Sequence, residues 1–200
     1  MKRLFLFFCL IAPLAAMAQQ KVLCFAGSTR AHSYNKKLVC EAAKIAVERG
    51  AKVTLIDLKD HPMPFYDADL EQREGMPPNA KRFRDMIMTS DAVIISSPQY
   101  NDSIPAVLKN ALDWASRNER GEESDAAFKG KKIVMLSASP GKKGGAKALI
   151  HLRAILKECG GDVLEKQVSV PSADHAFDET GSLKDPILRL QLEQAVDQLN

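Results

Sequence analysis

A chain of 200 residues with 46% hydrophobic and 26% charged side chains has the composition of an ordinary globular protein, which argues against disordered, collagen-like and coiled-coil architectures and makes one domain the default. Its 28 basic and 25 acidic residues nearly balance, so no concentrated positive surface points to a nucleic-acid partner. The four cysteines, at positions 9, 24, 40 and 159, form no CxxC pair and have no histidine cluster beside them, which is not how metal sites are spaced.

Lys2 and Arg3 precede an apolar run from Leu4 to Ala16, followed by Ala16-Met17-Ala18, the three regions of a secretory signal peptide. The run is interrupted by Pro13 and is too short for a stable membrane anchor, which needs about 20 apolar residues. Residues 1–18 are therefore expected to be cleaved and residues 19–200 to form the mature, periplasmic or secreted domain. A translation start at Met17 would give a cytoplasmic protein instead. Loss of Lys2 and Arg3 leaves 26 basic against 25 acidic residues, so the net charge falls from +3 to +1.

Val22 to Ala26 is a continuous apolar run ending at Gly27, the pattern of a strand buried on both faces of a parallel sheet. Ser33 to Arg49 reads as a helix closed by Gly50, and Val53 to Ile56 as the next strand. The stretch from Leu58 to Pro78 carries four prolines and Gly75, and is expected to be mostly irregular. A helix from Asn79 to Thr89, a strand over Ala92 to Ser96, a helix from Pro105 to Arg117 and a strand over Lys132 to Ala138 follow. The remaining expectations are a helix over Gly144 to Glu158, a more polar edge strand over Asp162 to Val170, and a helix over Pro186 to Leu199. Five strands alternating with five helices on short connections predict one doubly wound parallel sheet.

Ligands of such sheets bind beyond the carboxyl ends of the strands, near the point where strand order reverses. The loop after strand one, Gly27 to Asn35, offers hydroxyl, amide and guanidinium donors just before a helix N-terminus, which favours a phosphate. The alternative is that Ser33 simply caps the helix and Arg30 is solvated. Neither GxGxxG nor GxxxxGK[ST] occurs there, so a dinucleotide or triphosphate loop is excluded and a single terminal phosphate is expected. After strand three, Ser97-Pro98-Gln99-Tyr100-Asn101-Asp102-Ser103-Ile104-Pro105 places an aromatic ring between amides and suits a flat heterocycle, unless Tyr100 only closes a rigid turn over the core. After strand four, Ser139-Pro140-Gly141 and Gly144-Gly145 let backbone approach a ligand closely.

These segments, with Leu108-Lys109-Asn110-Ala111-Leu112-Asp113-Trp114, Pro64-Phe65-Tyr66-Asp67-Ala68-Asp69 and His151-Leu152-Arg153, resemble the NADPH-dependent FMN reductases of flavodoxin-like fold, most of all their chromate and quinone reductase branch. The resemblance spans nearly all of the mature chain and implies a three-layer α/β/α domain holding FMN. It implies that Ser28, Arg30, Ser33, Tyr34 and Asn35 surround the FMN phosphate, that Pro98, Gln99, Tyr100 and Asn101 line the isoalloxazine, and that Ser139, with Gly141 beside it, closes the cofactor site. It also implies NADPH or NADH as donor, a small-molecule electron acceptor, and a homodimer or homotetramer. Gln99 stands where the family usually has Glu, and His32 occupies a variable position.

The implied chemistry is hydride transfer to FMN and onward to quinones, flavins, azo compounds or oxyanions, with no side chain required as acid or base. An exported FMN-binding electron carrier that does not itself use nicotinamide is the rival reading, motivated by the signal peptide. His61, His151 and His175 lack the spacing of metal ligands. Cys24 is expected to be a buried, inert thiol and Trp114 a core residue, while Lys142 and Lys143 are either a solvated pair or an attraction for an anionic substrate.

Overall fold

The computed structural model describes residues 18–200, so the expected signal peptide, apart from Ala18, lies outside it. The chain opens with β1 (Lys21–Ala26), α1 (Tyr34–Glu48) and β2 (Lys52–Asp57), then runs through α2 (Ala68–Glu74) and α3 (Pro78–Met88) to β3 (Ala92–Ser96). It continues through α4 (Ala106–Ala115), β4 (Lys132–Ala138) and α5 (Ala146–Glu158) to the short strands β5 (Asp162–Val163) and β6 (Val168–Val170). A single turn, α6 (Ala173–Ala176), and α7 (Pro186–Val196) complete it.

All strand pairings named here are parallel, in the order β2-β1-β3-β4-β5, with β6 also paired to β4. The chain leaves β1 for β2 on one side and returns to β3 on the other, so the reversal point falls between β1 and β3. Alternate residues of the central strands enter two separate cores. Cys24, Ile94 and Val134 face α1 and α7, whereas Phe25, Ile95 and Met135 face α3, α4 and α5. Burial on both faces explains the unbroken apolar runs of β1, β3 and β4. Trp114 is fully buried and donates through Nε1 to Pro64 O at 2.9 Å, and burial, with Cys40 nearby, pushes the Cys24 thiol up to about 12.

The structure departs from the sequence-based expectation in two places. The proline-rich stretch contains α2, because Asp67 Oδ1 accepts from the backbone of Asp69 at 2.8 Å and of Leu70 at 3.3 Å and so caps a helix between the prolines. The expected edge strand over Asp162 to Val170 is broken into β5 and β6. At the break the chain leaves the sheet, and the Arg153 guanidinium on α5 takes over the carbonyls of Val163, Leu164 and Glu165 at 3.1, 2.9 and 3.4 Å.

Candidate functional site

The carboxyl ends of β1, β3 and β4 are bolted together by buried polar groups. Asn35, 3% exposed in the first turn of α1, donates through Nδ2 to Ala138 O and accepts at Oδ1 from Ala138 N, both at 2.9 Å. The same Oδ1 accepts from Ser96 Oγ at 2.9 Å. Ser137 Oγ donates to Ser97 O at 2.7 Å, and Gly27 N to Ser96 O at 2.9 Å. Gly27 is required where the first loop crosses α4, since a Cβ there would lie 2.7 Å from Leu108 Cδ2. These contacts bring the three loops singled out from the sequence to one edge of the sheet.

The first loop presents donors. Ser33 holds the N-cap position of α1 in an extended conformation, yet its side chain makes no capping bond, which sets aside the simple capping alternative. The amides of Tyr34 and Asn35 lie ahead of the first intrahelical bonds, those from Lys36 and Lys37 to Ser33 O, so helix geometry leaves them open to a ligand. Ser28, buried, accepts from Arg30 N at 3.3 Å, while Arg30 is exposed with its guanidinium 5.9 Å from the Tyr34 ring centre. No carboxylate occurs in residues 27–35 or 138–145, and the first turn of α1 carries no acidic residue. An anion is favoured at this helix end by partial charge and by formal charge together.

The second loop is a tight turn. Tyr100 N donates to Ser103 O at 2.9 Å and Ser103 N to Tyr100 O at 3.0 Å, and the two residues between them, Asn101 and Asp102, have φ of 48° and 64°. Two successive positive φ values are those of a type I′ hairpin turn, which Asn and Asp tolerate better than most residues. Tyr100 is 55% exposed, so it does not cover the core but leaves a flat apolar face in solvent. Pro98, two residues earlier, is buried. In the third loop Ser139 N donates to Val170 O at 3.1 Å, and Ser139 Oγ accepts from Gly141 N at 3.2 Å. Gly144 has φ of 58° with room for no side chain, a Cβ falling 2.7 Å from the Val170 carbonyl carbon.

Residues 20–175 match the NADPH-dependent FMN reductase family. The chain belongs to that family. It is 38% identical over 180 residues to an NAD(P)H-dependent FMN reductase of Pseudomonas aeruginosa, covering 90% of this chain and 92% of that relative. A quinone reductase of Escherichia coli strain K12 is 37% identical over 139 residues, 68% of this chain and 69% of the relative. Among solved structures, the flavoenzyme NAD(P)H:(acceptor) oxidoreductase FerB from Paracoccus denitrificans superimposes with a TM-score of 0.75 at 30% identity, over 90% of this chain and 97% of FerB.

Membership in the FMN reductase family makes the chain a flavin-dependent oxidoreductase with FMN as its cofactor, and the donor set fits that group. An uncapped helix start, two hydroxyls and one unopposed guanidinium suit a phosphate monoester, while the exposed Tyr100 turn suits a planar ring. Of the residues read from the sequence, Ser28, Arg30, Ser33 and Tyr34 lie together between the end of β1 and the first turn of α1. The side chain of Asn35 is fully engaged with Ala138 and Ser96, which makes its amide a structural bolt and leaves its backbone N–H for the ligand. Gln99 is likewise turned away toward α5, with Oε1 accepting from Lys147 N at 3.2 Å and Ala148 N at 3.4 Å. Sequence reasoning missed Asp102 and Lys147, which pair at 2.6 Å beside the turn. Nothing in the local pattern marks two residues so far apart as partners.

Proposed function

We propose that the chain takes electrons from NADPH or NADH and delivers them to small acceptors of the quinone, flavin, azo or oxyanion classes at one open site. The observation that carries this proposal is the first turn of α1, where Ser33 leaves the helix amides open and Arg30 stands unopposed by any carboxylate of the loop. When bound, FMN supplies a two-electron acceptor and donor that both substrates can meet in turn. The protein's part is binding and orientation. Arg30, Ser28, Ser33 and the amides of α1 hold the phosphate end; the Pro98 to Asn101 turn and the Ser139 to Gly141 loop offer backbone groups and the Tyr100 face to the ring end. Exposed Lys142 and Lys143 add positive potential at the rim, which favours anionic dinucleotides. No side chain is assigned a proton transfer.

Purified mature protein is expected to be yellow, to retain FMN rather than FAD, and to oxidise NADPH or NADH in steady state with a quinone. Colourless protein that does not retain added FMN overturns the proposal. Retention of FMN without turnover by either nicotinamide favours the electron-carrier reading that the leader motivates.

Two further parts of the proposal rest on separate observations. The charged, apolar and small-residue regions of residues 1–18 support export, with a mature chain beginning at Gln19. N-terminal sequencing from the native host checks this, and a cytoplasmic chain starting at Met17 or Ala18 overturns it. Homodimeric or homotetrameric assembly is supported by α5, whose Ile150 is 65% exposed and whose Ala154 and Ile155 line a cleft of about 1000 Å³ with Lys109 and Arg117. Light scattering on the eluting protein measures the assembly, and a monomer overturns it.

A further inference from the structure

Helix α5 starts without a cap of its own. Its N-cap residue is Gly145, at φ of 86°, and a Cβ there would lie 2.0 Å from Ser137 Oγ, so no residue with a capping side chain fits. The amide of Lys147 is met instead by Gln99, 48 residues earlier, at 3.2 Å, and Ala148 N, which also donates to Gly145 O at 3.1 Å, shares the same Gln99 oxygen at 3.4 Å. The same amide group donates through Nε2 to Asp102 Oδ1 at 3.1 Å, and Asp102 Oδ2 accepts from Lys147 Nζ at 2.6 Å. One turn along α5, His151 Nδ1 lies 2.9 Å from Ser103 Oγ. The hairpin turn with two positive φ values is thus fastened at both ends to one face of α5.

We propose that Gln99, Asp102 and Lys147 are positioning residues of the flavin site, which hold the Pro98 to Asn101 turn at a fixed distance from the Ser139 to Gly145 loop. The inference rests on the reading of that turn as the wall facing the isoalloxazine, and it assigns the three residues a role that none of them plays by touching the cofactor. Asp102 has only acceptors to offer, so it selects the amide orientation of Gln99 that points Nε2 at itself and Oε1 at the helix. Lys147 and Asp102 are 48% and 60% exposed, and an exposed pair contributes little by itself, so the weight falls on the Gln99 cap. The same geometry favours Gln over Glu at position 99. A Glu would still accept from α5, but it would place a second carboxylate against Asp102.

The test uses the full mature chain with and without FMN, comparing wild type with Gln99→Glu, Gln99→Ala and the reciprocal double variant Gln99→Glu/Asp102→Asn, in which amide and carboxylate exchange places. Hydrogen exchange at the Tyr100 and Ser103 amides is read in the FMN-free protein, and FMN affinity and flavin midpoint potential in the loaded one. Gln99→Ala, which removes the cap, is expected to speed exchange and weaken FMN binding about tenfold, the worth of a helix cap; Gln99→Glu, which sets two carboxylates against each other, is expected to move both in the same direction, and the double variant to recover most of what Gln99→Glu loses. Single variants that exchange and bind as wild type overturn the proposal, as does a double variant no better than Gln99→Glu. Faster exchange in the single variants of a protein that binds no FMN would leave a structural tether only, overturning the flavin reading and this role with it.

Discussion

Asn35 and Ala138 exchange a complete pair of hydrogen bonds across 103 residues of chain, side-chain amide to backbone amide, where the start of α1 meets the end of β4. Ser96 adds a third bond from the end of β3. One buried side chain therefore ties the start of α1 to the ends of both β3 and β4.

Asn35→Ala should cost about 2–4 kcal/mol, because it strands the N–H and C=O of Ala138 and the Ser96 hydroxyl in a water-free place, and each such group carries a penalty of about 1–3 kcal/mol. Urea unfolding measures it. A loss under about 1 kcal/mol would mean that water replaces the amide and that the bolt is dispensable.

The opposite pattern is expected of Arg30→Ala/Ser33→Ala. Arg30 is exposed and Ser33 makes no capping bond, so folding should change by less than about 0.5 kcal/mol. Loss of a charge-assisted phosphate contact, worth about 1.5–3 kcal/mol, should weaken FMN binding at least about tenfold. Unchanged FMN affinity by fluorescence quenching would place the phosphate elsewhere.

How much of this was legible beforehand follows from burial and distance along the chain. The strands β1, β3 and β4 announce themselves because burial on both faces demands continuous apolar runs, and their loops stand out because polar and glycine-rich segments interrupt those runs. Helix α2 was hidden by the prolines around it, although Asp67 followed by Asp69 and Glu71 is an ordinary start signal. The break between β5 and β6 depends on Arg153 of α5 reaching over, and the turning of Gln99 toward α5 depends on Asp102 and on a glycine at 145. Those are tertiary facts. Residue types around position 99 suggested a ring contact, and only the fold shows that the Gln99 side chain serves a helix instead.

Asp57, at the end of β2, pairs with Lys36 of α1 and accepts from Lys59 N at 2.9 Å. Partial burial works to raise its pKa, but the Lys36 ammonium and the Lys59 amide outweigh it and hold the carboxyl below its ordinary 3.8. A carboxyl with a depressed folded pKa contributes stability that is present above the unfolded value and is lost as pH falls through the folded one. The difference in unfolding free energy between wild type and Asp57→Asn should therefore be constant near neutral pH and shrink as pH drops below 3.8. A difference that holds steady through the acid range would show that the lost contribution is packing and not charge.

Glu71 and Arg117 form the most enclosed ion pair among the described residues, with side chains 3% and 15% exposed and a contact of 2.9 Å. Tyr66 OH donates to the same carboxylate at 3.1 Å, and its ring lies edge-on to Trp114 at 5.0 Å and 5.4 Å from the Arg117 guanidinium. The pair joins α2 to the chain after α4 and pins the segment that carries Phe65, which is 76% exposed. A buried pair is weak support for net stability, since desolvation offsets much of the attraction, but removing one member leaves an uncompensated charge. Arg117→Met should thus cost about 3–5 kcal/mol, whereas Glu71→Gln/Arg117→Met, which leaves two neutral groups with the Tyr66 hydroxyl still bonded, should recover a large part of that loss. Protease cutting near residues 61–67 should rise in the single variant and fall back in the double. If the single variant loses less than about 1 kcal/mol, water reaches Glu71 at little cost, and the pair does not hold the segment in place.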